Sequence, residues 1–148
     1  MMLSYSAEQT KRYAADFART LRGGEMIGLE GDLGSGKTTF VQGLAQTFGV
    51  TDPVRSPTFS LMNIYSIDPC LNFSFKNLIH VDAYRLSDQT DMYSIGLDEW
   101  VGRKDAVVFI EWPQRFKKGM IPFSRHLTFT YESEEIRKIE DLLPSSGA

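Results

Sequence analysis

Apolar and polar positions along this chain switch repeatedly between a helical and an extended period. Tyr13, Ala14, Phe17, Ala18 and Leu21 recur at helical spacing. Ser6-Ala7-Glu8-Gln9 before them reads as an N-cap with a polar residue three positions later. Together they predict an amphipathic helix that stops at Gly23-Gly24. Met26-Ile27-Gly28-Leu29-Glu30 is a short, mostly apolar run suited to a buried strand. A second helical stripe, Phe40, Val41, Leu44, Ala45 and Phe48, runs up to a stop at Gly49.

Residues 50–57 form a connector broken by Pro53 and Pro57, and 59–67 alternate as a strand through Phe59, Leu61, Ile64 and Tyr65. Residues 68–76 read as a loop whose Phe73 and Phe75 pack back onto the sheet. A buried strand is expected at 78–82, a mainly helical segment interrupted by Gly96 at 88–101, and the most hydrophobic strand at 106–111. Trp112-Pro113 ends that strand, and Pro113 suits the first turn of a helix reaching about residue 117. Residues 126–131 alternate as a strand, 136–143 are read as a strand in preference to a terminal helix, and 144–148 as a frayed tail. There is no repeat and no low-complexity tract.

Composition narrows the class. A chain of 148 residues, 42% hydrophobic and 24% charged, is expected to form one globular domain with a sizeable core, spanning 1–148. A net charge of −3 gives no global basic field for nucleic acid. The basic doublets Lys11-Arg12, Arg103-Lys104 and Lys117-Lys118 read as solvated surface. The single cysteine, Cys70, excludes an internal disulfide framework and a cysteine-based zinc site, and fits a reducing compartment. Residues 1–6 lack the basic-then-apolar pattern of a signal peptide, and no apolar run approaches the ~20 residues of a membrane span. A cytoplasmic protein without membrane contact is the expectation.

The chemistry begins between the first strand and the second helix. Gly31-Asp32-Leu33-Gly34-Ser35-Gly36-Lys37-Thr38-Thr39 fits G-x-x-x-x-G-K-[ST], a phosphate-binding loop. Such a loop needs glycines so that backbone N–H groups can close on phosphate oxygens. Lys37 supplies charge to the β- and γ-phosphates, the Thr38 hydroxyl is placed to ligate Mg²⁺, and a helix starting near Lys37 turns its positive end to the anion. An ordinary glycine-rich turn is the competing reading, but the flanking strand and helix are those a true loop requires.

Nucleotide hydrolysis also needs a carboxylate for Mg²⁺ or its water shell, usually at the end of an apolar strand. Two strands end this way: Leu78-Ile79-His80-Val81-Asp82 and Val107-Val108-Phe109-Ile110-Glu111. In an open parallel sheet both acids lie on the rim where ligands gather. Spacing does not say which is nearer the metal. His80 shares side-chain parity with Asp82 and can orient it or serve only as a structural histidine. Ser56-Pro57-Thr58-Phe59 occupies the place of a switch segment, with Thr58 sensing the γ-phosphate, unless it is simply a proline turn. Arg85 reads as a phosphate partner or, more plainly, an ion-pair residue, and Trp112 as a nucleotide-site or core residue.

These motifs, followed by His80-Val81-Asp82-Ala83-Tyr84-Arg85-Leu86, Gly96-Leu97-Asp98-Glu99 and Ile110-Glu111-Trp112-Pro113, resemble in order those of the bacterial TsaE family, the ATPase component of tRNA threonylcarbamoyladenosine biosynthesis. The resemblance covers the chain to about Tyr131, with apolar replacements inside H-F-D-L-Y-R and a longer segment at 68–77. It implies an α/β P-loop NTPase fold, three-layer αβα, with a mostly parallel central sheet. It implies Mg²⁺-dependent hydrolysis of ATP, weak without partners, and work with the TsaB and TsaD proteins, so that tRNA is met through the complex. By motif, Lys37, Asp82, Glu111 and Thr58 are the catalytic candidates. Asp32, Leu33, Gly34, Ser35, Gly36, Lys37, Thr38, Thr39 and Arg137 would bind ATP, and Thr38, Glu111 and Asp82 would serve the metal.

Two other readings share the phosphate loop. A small-molecule kinase would need an arginine-rich lid, and no arginine cluster follows Glu111. A non-hydrolysing module would use Asp82 and Glu111 only to fix nucleotide. No [NT]-K-x-D guanine signature occurs, which favours ATP over GTP.

Overall fold

A computed structural model describes residues 1–55, 57, 61–86 and 93–142. Among them seven strands form a single sheet: β1 (Met2–Ser4), β2 (Met26–Glu30), β3 (Met62–Ser66), β4 (Asn77–Asp82), β5 (Ala106–Glu111), β6 (Arg125–Tyr131) and β7 (Arg137–Leu142). Their order is β1-β7-β6-β2-β5-β4-β3. The centre is parallel, with β2 between β6 and β5 and β4 beyond β5. The flanks are antiparallel: β3 on β4, β7 on β6, and β1 on β7.

Helices α1 (Ala7–Ala18) and α2 (Lys37–Thr47) cover one face of the sheet. The Ser6 side chain caps α1 by accepting the Gln9 N–H, and the Gln9 side chain returns the favour to the Tyr5 N–H. The helix stops at Ala18, one turn before Gly23-Gly24, because Thr20 and Leu21 already bond back to the carbonyls of Phe17 and Ala18. The predicted stripe of α2 is buried, with Phe40 meeting Phe109 and Phe129 at centroid distances of 6.2 and 5.5 Å. Each such fully buried phenylalanine contributes about 1.5–3 kcal/mol.

The other face carries Met26, Ile79, Val81, Val108 and Ile110. The described residues that complete its layer lie in loops and two 3₁₀ turns, Leu97–Trp100 and Pro113–Arg115, where Leu97, Phe116 and Ile121 are buried. The three-layer α/β class therefore holds, with short turns in place of longer helices. The helix expected over 88–101 is, from residue 93 on, a turn followed by the first of these 3₁₀ turns, which Gly96 opens in the left-handed region. The helix after Pro113 is likewise a single turn. Residues 68–76 form the expected loop, in which Phe73 and Phe75 pack on Phe48 at the end of α2. Strand β1 was not expected. Ile64 on the outer strand β3 is half exposed, whereas Tyr65 is buried. Ser56, Thr58, Phe59 and the 144–148 tail lie outside the described residues.

Candidate functional site

The phosphate loop joins β2 to α2, so the strand and helix ends set its shape. Gly31 is required by a close approach: a Cβ there would lie 2.5 Å from the Phe129 carbonyl oxygen. Gly36 stands at the N-cap of α2 in the left-handed region, and no side chain caps the helix. Gly36 has no side chain to cap α2, in contrast to Ser6 on α1, and such a helix start suits an anion. Ser35 is buried and its hydroxyl has no partner among the described residues, although Asp32 and Leu33 in the same loop are exposed.

Lys37 is 4% exposed. Its ammonium donates to the Gly31 carbonyl and lies 4.3 Å from the centroid of the Trp112 ring. Burial lowers its pKa, while the nearby Glu111, Asp82 and Asp32 pull the other way. Trp112 holds φ 58°, an uncommon backbone state for a residue with a side chain, at the point where β5 ends. Its ring meets that of Tyr84 at a centroid distance of 5.0 Å, the planes tilted by 52°.

Parallel pairing places Asp82 directly beside Glu111. Burial raises the pKa of Asp82 and the Glu111 charge adds to that, opposed by the Tyr84 N–H it accepts at 3.0 Å. Glu111 is 3% exposed and lies 2.6 Å from Nε2 of the fully buried His80. Histidine 80 therefore bonds Glu111, not Asp82, which corrects the parity-based pairing with Asp82. Arg85 is exposed and forms no ion pair with any described residue. Among the basic doublets, Arg103 pairs with Asp105, and Lys117 and Lys118 are exposed.

One cleft of about 500 Å³ gathers these groups. Leu33, Gly34, Ser35, Gly36, Lys37, Thr38 and Thr39 form its floor, with Asp82, Glu111 and Trp112 on one side. Arg137 forms part of the opposite wall: it donates Nε to the Gly34 carbonyl at 3.0 Å and Nη1 to the Ser133 carbonyl at 2.7 Å. Its position 103 residues from Gly34 hid this contact from sequence reasoning. Glu134 and Glu135 beside it, and Tyr5, Ser6, Ala7 and Thr10 at the start of α1, also line the cleft. None of these six was expected; only the cap signal at Ser6 hinted that α1 begins nearby. The oxygen donors Thr38, Asp82 and Glu111 suit a hard cation such as Mg²⁺.

Residues 4–139 match the family model "Threonylcarbamoyl adenosine biosynthesis protein TsaE". The chain belongs to the TsaE family. A TsaE described as a tRNA threonylcarbamoyladenosine biosynthesis protein from Aquifex aeolicus is 40% identical over 114 residues, 76% of this chain and 75% of that protein. TsaE of Borreliella burgdorferi is 32% identical over 133 residues, 89% and 91% of the two chains. The crystal structure of Bacillus subtilis YdiB superposes with a TM-score of 0.71 at 27% identity, covering 97% of this chain and 84% of that one. Membership assigns this TsaE-family chain to tRNA threonylcarbamoyladenosine biosynthesis. None of its described helices is long and apolar enough to cross a membrane.

Proposed function

We propose that the protein is a Mg²⁺-dependent ATPase that acts with TsaB and TsaD in threonylcarbamoyladenosine modification of tRNA. The observation that carries this reading is the convergence of an uncapped helix N-terminus, a buried lysine and two strand-end carboxylates on one cleft. The loop amides and the Ser35 hydroxyl, which has no partner among the described residues, offer donors to phosphate oxygens, and Lys37 gives its ammonium to the β- and γ-phosphates. Arg137 and the start of α1 bound the space left for the nucleoside. Asp82 and Glu111 orient the attacking water or the water shell of the metal. Thr58, from its place in the Ser56–Phe59 motif, takes the switch role. Mg²⁺, held by Thr38 with Asp82 or Glu111, would neutralise charge on the phosphates.

The test is ATP turnover by the protein alone and mixed with TsaB and TsaD, alongside tRNA modification by the mixture. Slow hydrolysis alone, faster hydrolysis in the mixture and modification that requires this protein are expected. Vigorous hydrolysis unaffected by TsaB and TsaD, with no effect on modification, would refute the reading. A phosphorylated metabolite as product would replace it with a kinase.

A further inference from the structure

The residues Leu78, His80 and Asp82 of β4 face α2, together with Val107, Phe109 and Glu111 of β5. His80 therefore sits in the apolar layer beneath the helix, fully buried, two residues along the strand from the buried Leu78. Among the described residues its ring makes one polar contact, Nε2 to Oε2 of Glu111 at 2.6 Å, and Nδ1 has no hydrogen-bond partner. In such a contact an Nε2–H can donate to a carboxylate oxygen, which accepts. Glu111 spans two environments: Oε2 is anchored in the interior, while the residue also lines the cleft.

We propose that His80 is a positioning residue for Glu111, fixing the rotation of its carboxylate so that Oε1 is the oxygen presented to the cleft. Among the described residues the polar action of His80 passes through this one bond, because its other nitrogen has no hydrogen-bond partner there. Buried partners of this kind orient the carboxylate that meets a metal or a water, and their loss typically costs about 10–100-fold in activity. The inference rests on the proposed role of Glu111 at the phosphate end of the cleft.

The test uses two variants and two readouts. His80→Leu keeps an apolar filling and removes the donor, whereas His80→Gln keeps an N–H donor on a side chain of similar reach. In the complex with TsaB and TsaD, His80→Leu is expected to lower kcat by about 10–100-fold with a much smaller change in KM for ATP. His80→Gln should recover most of that loss. An unchanged kcat in His80→Leu overturns the proposal. So do equal losses in both variants that track a fall in thermal stability, since packing alone would produce them. The second readout needs no turnover. Long-range ¹H–¹⁵N spectra of the nucleotide-free protein should show His80 protonated at Nε2, with the Nε2 signal displaced in Glu111→Ala. A bare Nε2, or no displacement, overturns the proposal. If the wild-type complex hydrolyses no ATP, the proposed function fails instead, and the spectra still decide whether His80 holds Glu111.

Discussion

The two faces of strands β4 and β5 are built from alternate residues of the same segments, yet they carry opposite chemistry. On the turn-covered face Ile79, Val81, Val108 and Ile110 are all apolar and buried. On the helical face the apolar series Leu78, Val107 and Phe109 gives way, toward the strand ends, to His80, Asp82 and Glu111. The first face has only packing to satisfy. The second buries charge beside Lys37, and burial drives both the depressed pKa of Lys37 and the raised pKa of Asp82. A face that keeps such groups out of water bears a cost that packing alone would remove, so they mark the side of the sheet where ligand chemistry belongs.

The sharpest way to separate the faces is Lys37→Ala. Its expected effect is a loss of about 10²–10³-fold in turnover, the scale of removing one preorganised charge-stabilising donor, with nucleotide affinity also falling in calorimetric titration. The folded protein should lose little stability to urea, because the ammonium is held there by one carbonyl and one ring. Met26→Ala on the opposite face should reverse that profile. Deleting a side chain that is 1% exposed is expected to cost about 2–5 kcal/mol in urea unfolding, with nucleotide affinity of the folded protein retained. If Met26→Ala weakened nucleotide binding as much as Lys37→Ala, the division between the faces would fail.

The smallest effect concerns pH. A raised folded-state pKa means that the folded protein prefers protonated Asp82. Its contribution to stability is therefore full below the ordinary value of 3.8 and is lost as pH rises through the raised value. Asp82→Asn, fixed in a neutral form, should be more stable than the parent near pH 7 in the absence of nucleotide, and the gap should close near pH 4. Urea midpoints at the two pH values check it; a parent protein that is the more stable near pH 7 would contradict the assignment.

The contrast also explains what could be read from residue order. Helix α2 was legible because Phe40, Val41, Leu44 and Ala45 repeat at helical spacing and are all buried. Strand β5 was legible because every residue from Ala106 to Glu111 is buried, five of the six being apolar. The loop and the two acids were legible because the motif and the strand ends are local. Strand β1 was not: three residues hold no pattern, and they are extended because β7 pairs with them. The second layer was overestimated because the apolar residues of 93–101 suit a helix, while Gly96 turns the chain into one 3₁₀ turn. The His80–Glu111 bond was missed because it joins two strands across 31 residues, and only their register brings the groups together.

Arg137 gives the phosphate loop a dependence on time as well as place. The loop is encoded by residue 39 of 148, but the guanidinium that braces its Gly34 carbonyl arrives with β7. During synthesis the ribosome releases Gly31 to Thr39 long before Arg137, and domains fold as units once their chain is complete. A nascent chain thus carries an unbraced loop until β7 has emerged and paired with both β6 and the N-terminal β1.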